Sequence, residues 1–130
     1  MSRITEQKVL IDKSAVAAEN LEPYRAVVIN SDGEAQYPTT AGVRADGFVI
    51  ERFGVGERVQ IVTDGLIPVK IATAAGVERG VYLSVTASGG QLANIGSEHE
   101  ASAIADADAG ANGDLIQARV SDLIRHTEPA

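Results

Sequence analysis

Few residues in this 130-residue chain could do chemistry, and they lie scattered along it. Glu98-His99-Glu100 is the one dense run of metal-ligand types. Neighbouring residues on a strand point to opposite faces, so three in a row do not easily converge on one ion. A solvated polar loop fits the run better. Asp106, Asp108 and Asp114 carry carboxylates of the kind that hold calcium. Their spacing lacks the fixed glycine and closing glutamate of a calcium loop. Gly54-Val55-Gly56 lacks the third glycine and the strand–helix setting of a dinucleotide site, and reads as a turn. Neither His99 nor His126 has a serine or aspartate pattern beside it that suggests a catalytic triad, although triad members can be distant in sequence. Both histidines read as exposed, and replacing both by Ala is expected to shift stability by no more than about 0.5 kcal/mol. The expectation from these residues is no enzyme, no metal and no cofactor.

Composition narrows the classes further. A chain of 130 residues fits one domain with a real core. It is 45% hydrophobic but only 4% aromatic, so that core is built from Val, Ile, Leu and Ala. The net charge of −7 and the pI of about 4.7 argue against a nucleic-acid surface, which needs clustered Lys and Arg. There is no cysteine, which excludes disulfides, thiolate catalysis and thiolate metal sites. No segment has the length and apolarity of a membrane helix. Residues 1–8 lack the apolar core of a signal peptide, so synthesis in a cytoplasm is expected.

The elements that would position these residues are short strands. Arg25 to Ile29 is β-rich and runs into Asn30-Ser31-Asp32-Gly33, a strong turn signal. Glu34 to Tyr37 returns, and Gly47 to Arg52 forms another short strand. Residues 59–63, Asp64-Gly65 and residues 66–71 read as a hairpin on a two-residue turn. Pro68 cannot donate to a ladder, which places it at a local edge. Val81, Leu83 and Val85 alternate with Tyr82, Ser84 and Thr86. Residues 101–109 and the end of the chain fit helix and strand alike. Residues 1–20 fit one strand, a weak helix or an extended arm, and residues 125–130 read as a loose tail.

These elements occur in the same order twice. Glu22 to Ile29 and its turn match Glu78 to Val85 with Ala87-Ser88-Gly89-Gly90. The runs Gly47-Phe48-Val49-Ile50 and Ala101-Ser102-Ala103-Ile104 follow. Each copy closes on a Gly-acid pair and a strand, Gly56-Glu57 before Arg58 to Ile61 and Gly113-Asp114 before Leu115 to Ala118. The repeat settles the final element as a strand to about Val120. The expected fold is all-β: a small barrel or sandwich of two similar strand-turn-strand halves, about residues 22–71 and 78–124, joined near 72–77 and preceded by an N-terminal arm. Many short strands imply several exposed edges.

Two families share features with this chain. Lipoyl and biotinyl carriers also have two similar β-halves and a modifiable lysine between apolar residues, as in Val69-Lys70-Ile71. Their lysine stands at a hairpin tip, whereas Lys70 lies down a strand, where a charge discourages sheet pairing. The stronger likeness rests on several segments: Ala26 to Gly33, Gly47-Phe48-Val49, Gly56-Glu57-Arg58-Val59, Gly65 to Val69, Val77 to Tyr82, Gly89-Gly90-Gln91 and Gly113 to Ile116. Over about residues 20–120 this pattern resembles the small phage capsid cement, or decoration, proteins related to the DUF2190 group.

That resemblance implies a non-enzymatic virion protein on the capsid exterior, bound to the major capsid protein, often as a homotrimer, without nucleic acid, membrane or cofactor. The alternatives are another β-rich head or tail component, such as a head-fibre base, or a carrier or ligand-binding domain. The candidate capsid- or neighbour-binding residues are Ile4, Val9, Leu10, Ile11 and Val16. An apolar run on a terminal segment should be buried against something, and an arm can add a strand to a neighbour's sheet.

Overall fold

The computed structural model describes the backbone of residues 10–130 and the side chains from Ser14 onward. Nine strands and no helix occur among these residues: β1 (Leu10–Ala17), β2 (Arg25–Ile29), β3 (Glu34–Gln36), β4 (Gly47–Val49), β5 (Arg58–Lys70), β6 (Tyr82–Val85), β7 (Leu92–Asn94), β8 (Ala103–Ala105) and β9 (Leu115–Val120). The all-β expectation holds; two similar units are present with bounds other than 22–71 and 78–124, and Leu10–Ala17 is a strand of the first ring rather than an arm.

The first half is a closed five-stranded barrel. Its order is β1-β3-β2-β4-β5, and β1 returns to pair antiparallel with β5. Ala15, Ala17, Leu21, Val27, Ala35, Val49, Val59 and Ile61 fill the interior. Barrel diameter grows with strand number, so a five-stranded ring is narrow, and three alanines suit it. The second half repeats the pattern as β5-β9-β8-β6-β7. It closes on its last side through one parallel bridge, Ile71 to Leu92. Every strand therefore has a neighbour on both sides among the described residues, against the expectation of several exposed edges.

Strand β5 belongs to both rings. Residues 58–64 pair with β1, and Gly65 to Lys70 pair with β9. The first unit thus takes in β1, whose counterpart in the second unit is the later half of β5. Pairing registers make the match residue by residue. Val16 opposes Arg58 as Lys70 opposes Leu115. Ala26 and Phe48 pair as Tyr82 and Ile104 do, and Phe48 meets Val62 as Ile104 meets Arg119.

The Gly-acid pairs close each ring identically. Gly56 N–H donates to Ala17 O and Ala17 N–H to Glu57 O, at 2.9 and 2.8 Å. Gly113 N–H donates to Ile71 O and Ile71 N–H to Asp114 O, both at 2.8 Å. The two glycines hold φ of +85° and +89°. The acids also brace their own turns: Glu57 Oε1 accepts from Gly54 N–H, and Asp114 Oδ2 from Gly110 and Ala111 N–H.

Asp64-Gly65 is not the hairpin turn expected from its sequence. The strand runs straight through it, because each side of the pair has a different partner sheet to join. Gly65 sits at φ +144°, a region that β-carbons disfavour. Before it, Val62 packs on the larger core; after it, Ile67, Val69 and Ile71 of the opposite parity do. Pro68 costs the β9 ladder nothing. Lys70 N–H points away from β9, to Tyr24 O at 2.9 Å, and Pro68 shares its parity. On that side no described strand pairs with residues 65–69, so the local edge expected at Pro68 is real although β5 is central.

Replacing Gly65 by Ala should lower unfolding free energy by about 1–3 kcal/mol, the usual cost of a disfavoured backbone region, read by urea denaturation. Deleting residues 1–13 removes the backbone pairing of Leu10, Ile11 and Lys13 with Asp64, Val62 and Ile61. The melting midpoint should fall; an unchanged midpoint would mean that the barrel closes without that part of β1.

Candidate interaction surface

Two of the sequence candidates, Ile4 and Val9, lie outside the described residues. Leu10 and Ile11 enter the β1 ladder opposite Asp64 and Val62. Val16 is 38% exposed on the outside of the first barrel. The structure therefore brings no patch of these five together among the described residues.

The polar candidates also separate. Asp106 meets Arg79 Nε at 3.5 Å, Asp108 Oδ1 accepts from Arg79 N–H, and Asp114 braces its turn. No group of three metal-type side chains converges among the described residues. His99, expected in a solvated loop, is half-buried, with Nδ1 2.9 Å from Ser84 Oγ. The ring is wedged against Gly42 and Gly96, where an added β-carbon would stand 2.2 and 2.8 Å from it. Ser84 is 1% exposed, so its hydroxyl offers no face to a substrate, and the pair is a packing hydrogen bond. Gly96, three residues before His99, was the only local signal of this packing in the sequence.

The chain end is bound rather than loose. Ala101 N–H donates to His126 O, and Glu128 N–H to His99 O, both at 2.9 Å. The His126 ring stacks on Tyr82 at 4.1 Å and meets Glu128 Oε1 at 2.9 Å. Arg44 Nη2 grips the turn after β9, donating to the carbonyls of Asp122 at 2.8 Å and Ile124 at 3.1 Å. Arg125 Nη1 donates to the same two carbonyls. Ser121 Oγ accepts from Leu123 N–H at 3.0 Å. This braced turn holds Leu123 out at 86% exposure.

Beside the turn, Arg44, Glu100, Ala101, Arg125, His126 and Thr127 line an open cleft of about 250 Å³. Next to it runs the outward face of the second barrel. A single row crosses four strands there: Leu66, Arg119, Ile104 and Tyr82. Arg119 is exposed, and Leu66 and Ile104 are half-buried. In the first barrel the matching residues Ala26, Phe48 and Val62 are buried against the second barrel. Sequence reasoning missed this surface because the row exists only through cross-strand register.

No family model and no curated protein matches the chain. Among solved structures, it is similar to the crystal structure of the N base of the head fibre protein gp8.5 of bacteriophage phi29. The TM-score is 0.62 at 17% identity, over 88% of this chain and 94% of that one. At this identity the likeness is one of fold.

His99→Ala should cost about 1–3 kcal/mol, because it leaves the buried Ser84 hydroxyl with only the long contact from Gly96 N–H at 3.4 Å. That replaces the near-neutral effect expected for an exposed histidine. Urea unfolding of His99→Ala and of the His99/His126 double variant measures it.

Proposed function

We propose that this protein is a structural component of a bacteriophage virion that binds the outside of the head and cements neighbouring major capsid subunits. One observation carries the reading: the double-barrel fold, over nearly its whole length, is that of a phage head-fibre base. The sequence pattern shared with decoration proteins points the same way. The proposed role is not enzymatic. It needs a compact, soluble body that presents side chains to its partner, and the acidic charge and sealed strand edges suit that.

The mechanism is buried area. A body that touches several subunits adds contacts that must break before the shell opens. Interfaces of about 1,600 Å² reach micromolar to picomolar affinity according to how well they pack. A homotrimer would multiply these contacts threefold at each site and place the protein on the exterior of the virion, with no nucleic acid in contact.

A second reading is the base of a head fibre, favoured by the structural neighbour itself. Co-sedimentation of the purified protein with expanded, undecorated heads tests the shared premise: it should pellet with them, and failure to do so would overturn both readings. Heat- or chelator-induced DNA release then separates them. A cement raises the release temperature, while a fibre base binds and leaves it unchanged.

A further inference from the structure

We infer that the head-binding surface is the outward face of the second barrel around Leu123 and Arg119, and that its partner is an apolar pocket rimmed by carboxylates on a capsid subunit. This rests on the virion reading above. Three observations lead to it.

The first is internal. The two barrels are equivalent units, and the first docks on the second through Ala26, Phe48 and Val62. The second barrel carries the same row as Tyr82, Ile104 and Arg119. Among the described residues no third barrel lies on it. The C-terminal segment covers the Tyr82 end through the His126 stack, and the Arg119 end stays open. A stacked unit with an uncovered packing face is normally made polar there, as capping repeats are. Here only Val62 is replaced by a charge, and half-buried Ile104 and Leu66 flank it.

The second is mechanical. Leu123, the most exposed of the large apolar side chains, does not sit on a loose loop. Arg44, Arg125 and Ser121 hold its turn through hydrogen bonds to Asp122 O, Ile124 O and Leu123 N. A side chain held in place before binding loses little entropy on docking, which is the property of an interface anchor.

The third is charge. The Arg119 side chain has no ion pair or hydrogen bond among the described residues, and Arg44 and Arg125 line the adjoining cleft. Glu128 is taken up by His126, while Glu100 lies on the cleft wall. In a chain of net charge −7 the exposed Arg119 and Arg125 favour a partner of opposite sign here, while Arg44 is turned inward on the carbonyls it grips. An isologous pairing with a second copy would set Arg119 near its own twin, which disfavours that occupant.

The test uses the full-length protein and expanded heads in co-sedimentation at two salt concentrations. Leu123→Asp and Arg119→Glu should each weaken binding about tenfold or more, and Leu123→Met should keep it. Val55→Asp is the control: Val55 is 64% exposed but lies beyond the other end of the β5 segment in the first barrel, roughly 20 Å away at about 3.3 Å per residue. It should bind as wild type does. Wild-type binding should also weaken as salt rises. Arg119→Glu alone decides the matter should Leu123→Asp fail to fold. Full binding by Arg119→Glu, or loss only in Val55→Asp, overturns this surface and leaves the virion reading standing. A change of oligomeric state in the Leu123 or Arg119 variants by light scattering overturns it in favour of a second copy. Wild type that never pellets with heads overturns both.

Discussion

Strand β5 is the element on which the rest of the structure depends. It closes the first barrel with its early half and opens the second with its later half. Neither ring can form its full hydrogen-bond circuit unless this one strand is placed. Its thirteen residues carry two different sets of neighbours, so the strand must turn its faces between sheets without leaving the ladder. Gly65 does this with one backbone angle that other residues disfavour. The two barrels are thereby joined through one strand and one shared core. The larger core spans both, since Ala26, Phe48 and Val62 of the first ring pack with Ile67, Val69, Leu83 and Ile116 of the second.

Repetition of the fold does not mean repetition of its chemistry. Inward positions stay apolar in both copies, with Val27 and Leu83, Val59 and Ile116, Ile61 and Ala118 in matching places. Those positions answer to packing alone. The outward row diverges, from Ala26 and Val62 to Tyr82 and Arg119. In the first copy that row is buried by its sister barrel. In the second it meets solvent and the chain end. The C-terminal ten residues owe their order to this difference: His126 needs Tyr82 to stack on, and the turn at 121–124 needs Arg44 from the other barrel.

Sealed edges shape how such a body can meet others. With each described strand paired on both sides over at least part of its length, and residues 65–69 of β5 open on one side, backbone hydrogen bonding is largely consumed within the chain. Association then falls to side chains, and affinity to a few well-placed ones. A rigid apolar residue on a turn braced by arginines is a better basis for that than the scattered N-terminal apolar residues. This is the physical link between the double-barrel fold and the proposed place on a phage head.

The all-β class and the presence of a duplication were legible in the residues themselves, whereas β7 and the continuity of β5 were not. Alternation at Val81, Leu83 and Val85, the turn at Asn30 to Gly33 and the paired Gly56-Glu57 and Gly113-Asp114 are local signals, set by backbone geometry within a few residues. The acidic balance and the lack of cysteine likewise needed no coordinates. Three things were decided only by the tertiary structure. Asp64-Gly65 has the local chemistry of a turn, yet two waiting sheets pull the chain straight through it. His99 looks solvated from its neighbours Glu98 and Glu100, yet Gly42 and Ser84, distant in sequence, enclose it. Arg119 joins Leu66, Ile104 and Tyr82 in one row through strand register, and Leu123 is held out by an arginine from another loop; long-range register leaves no mark in a short window of sequence.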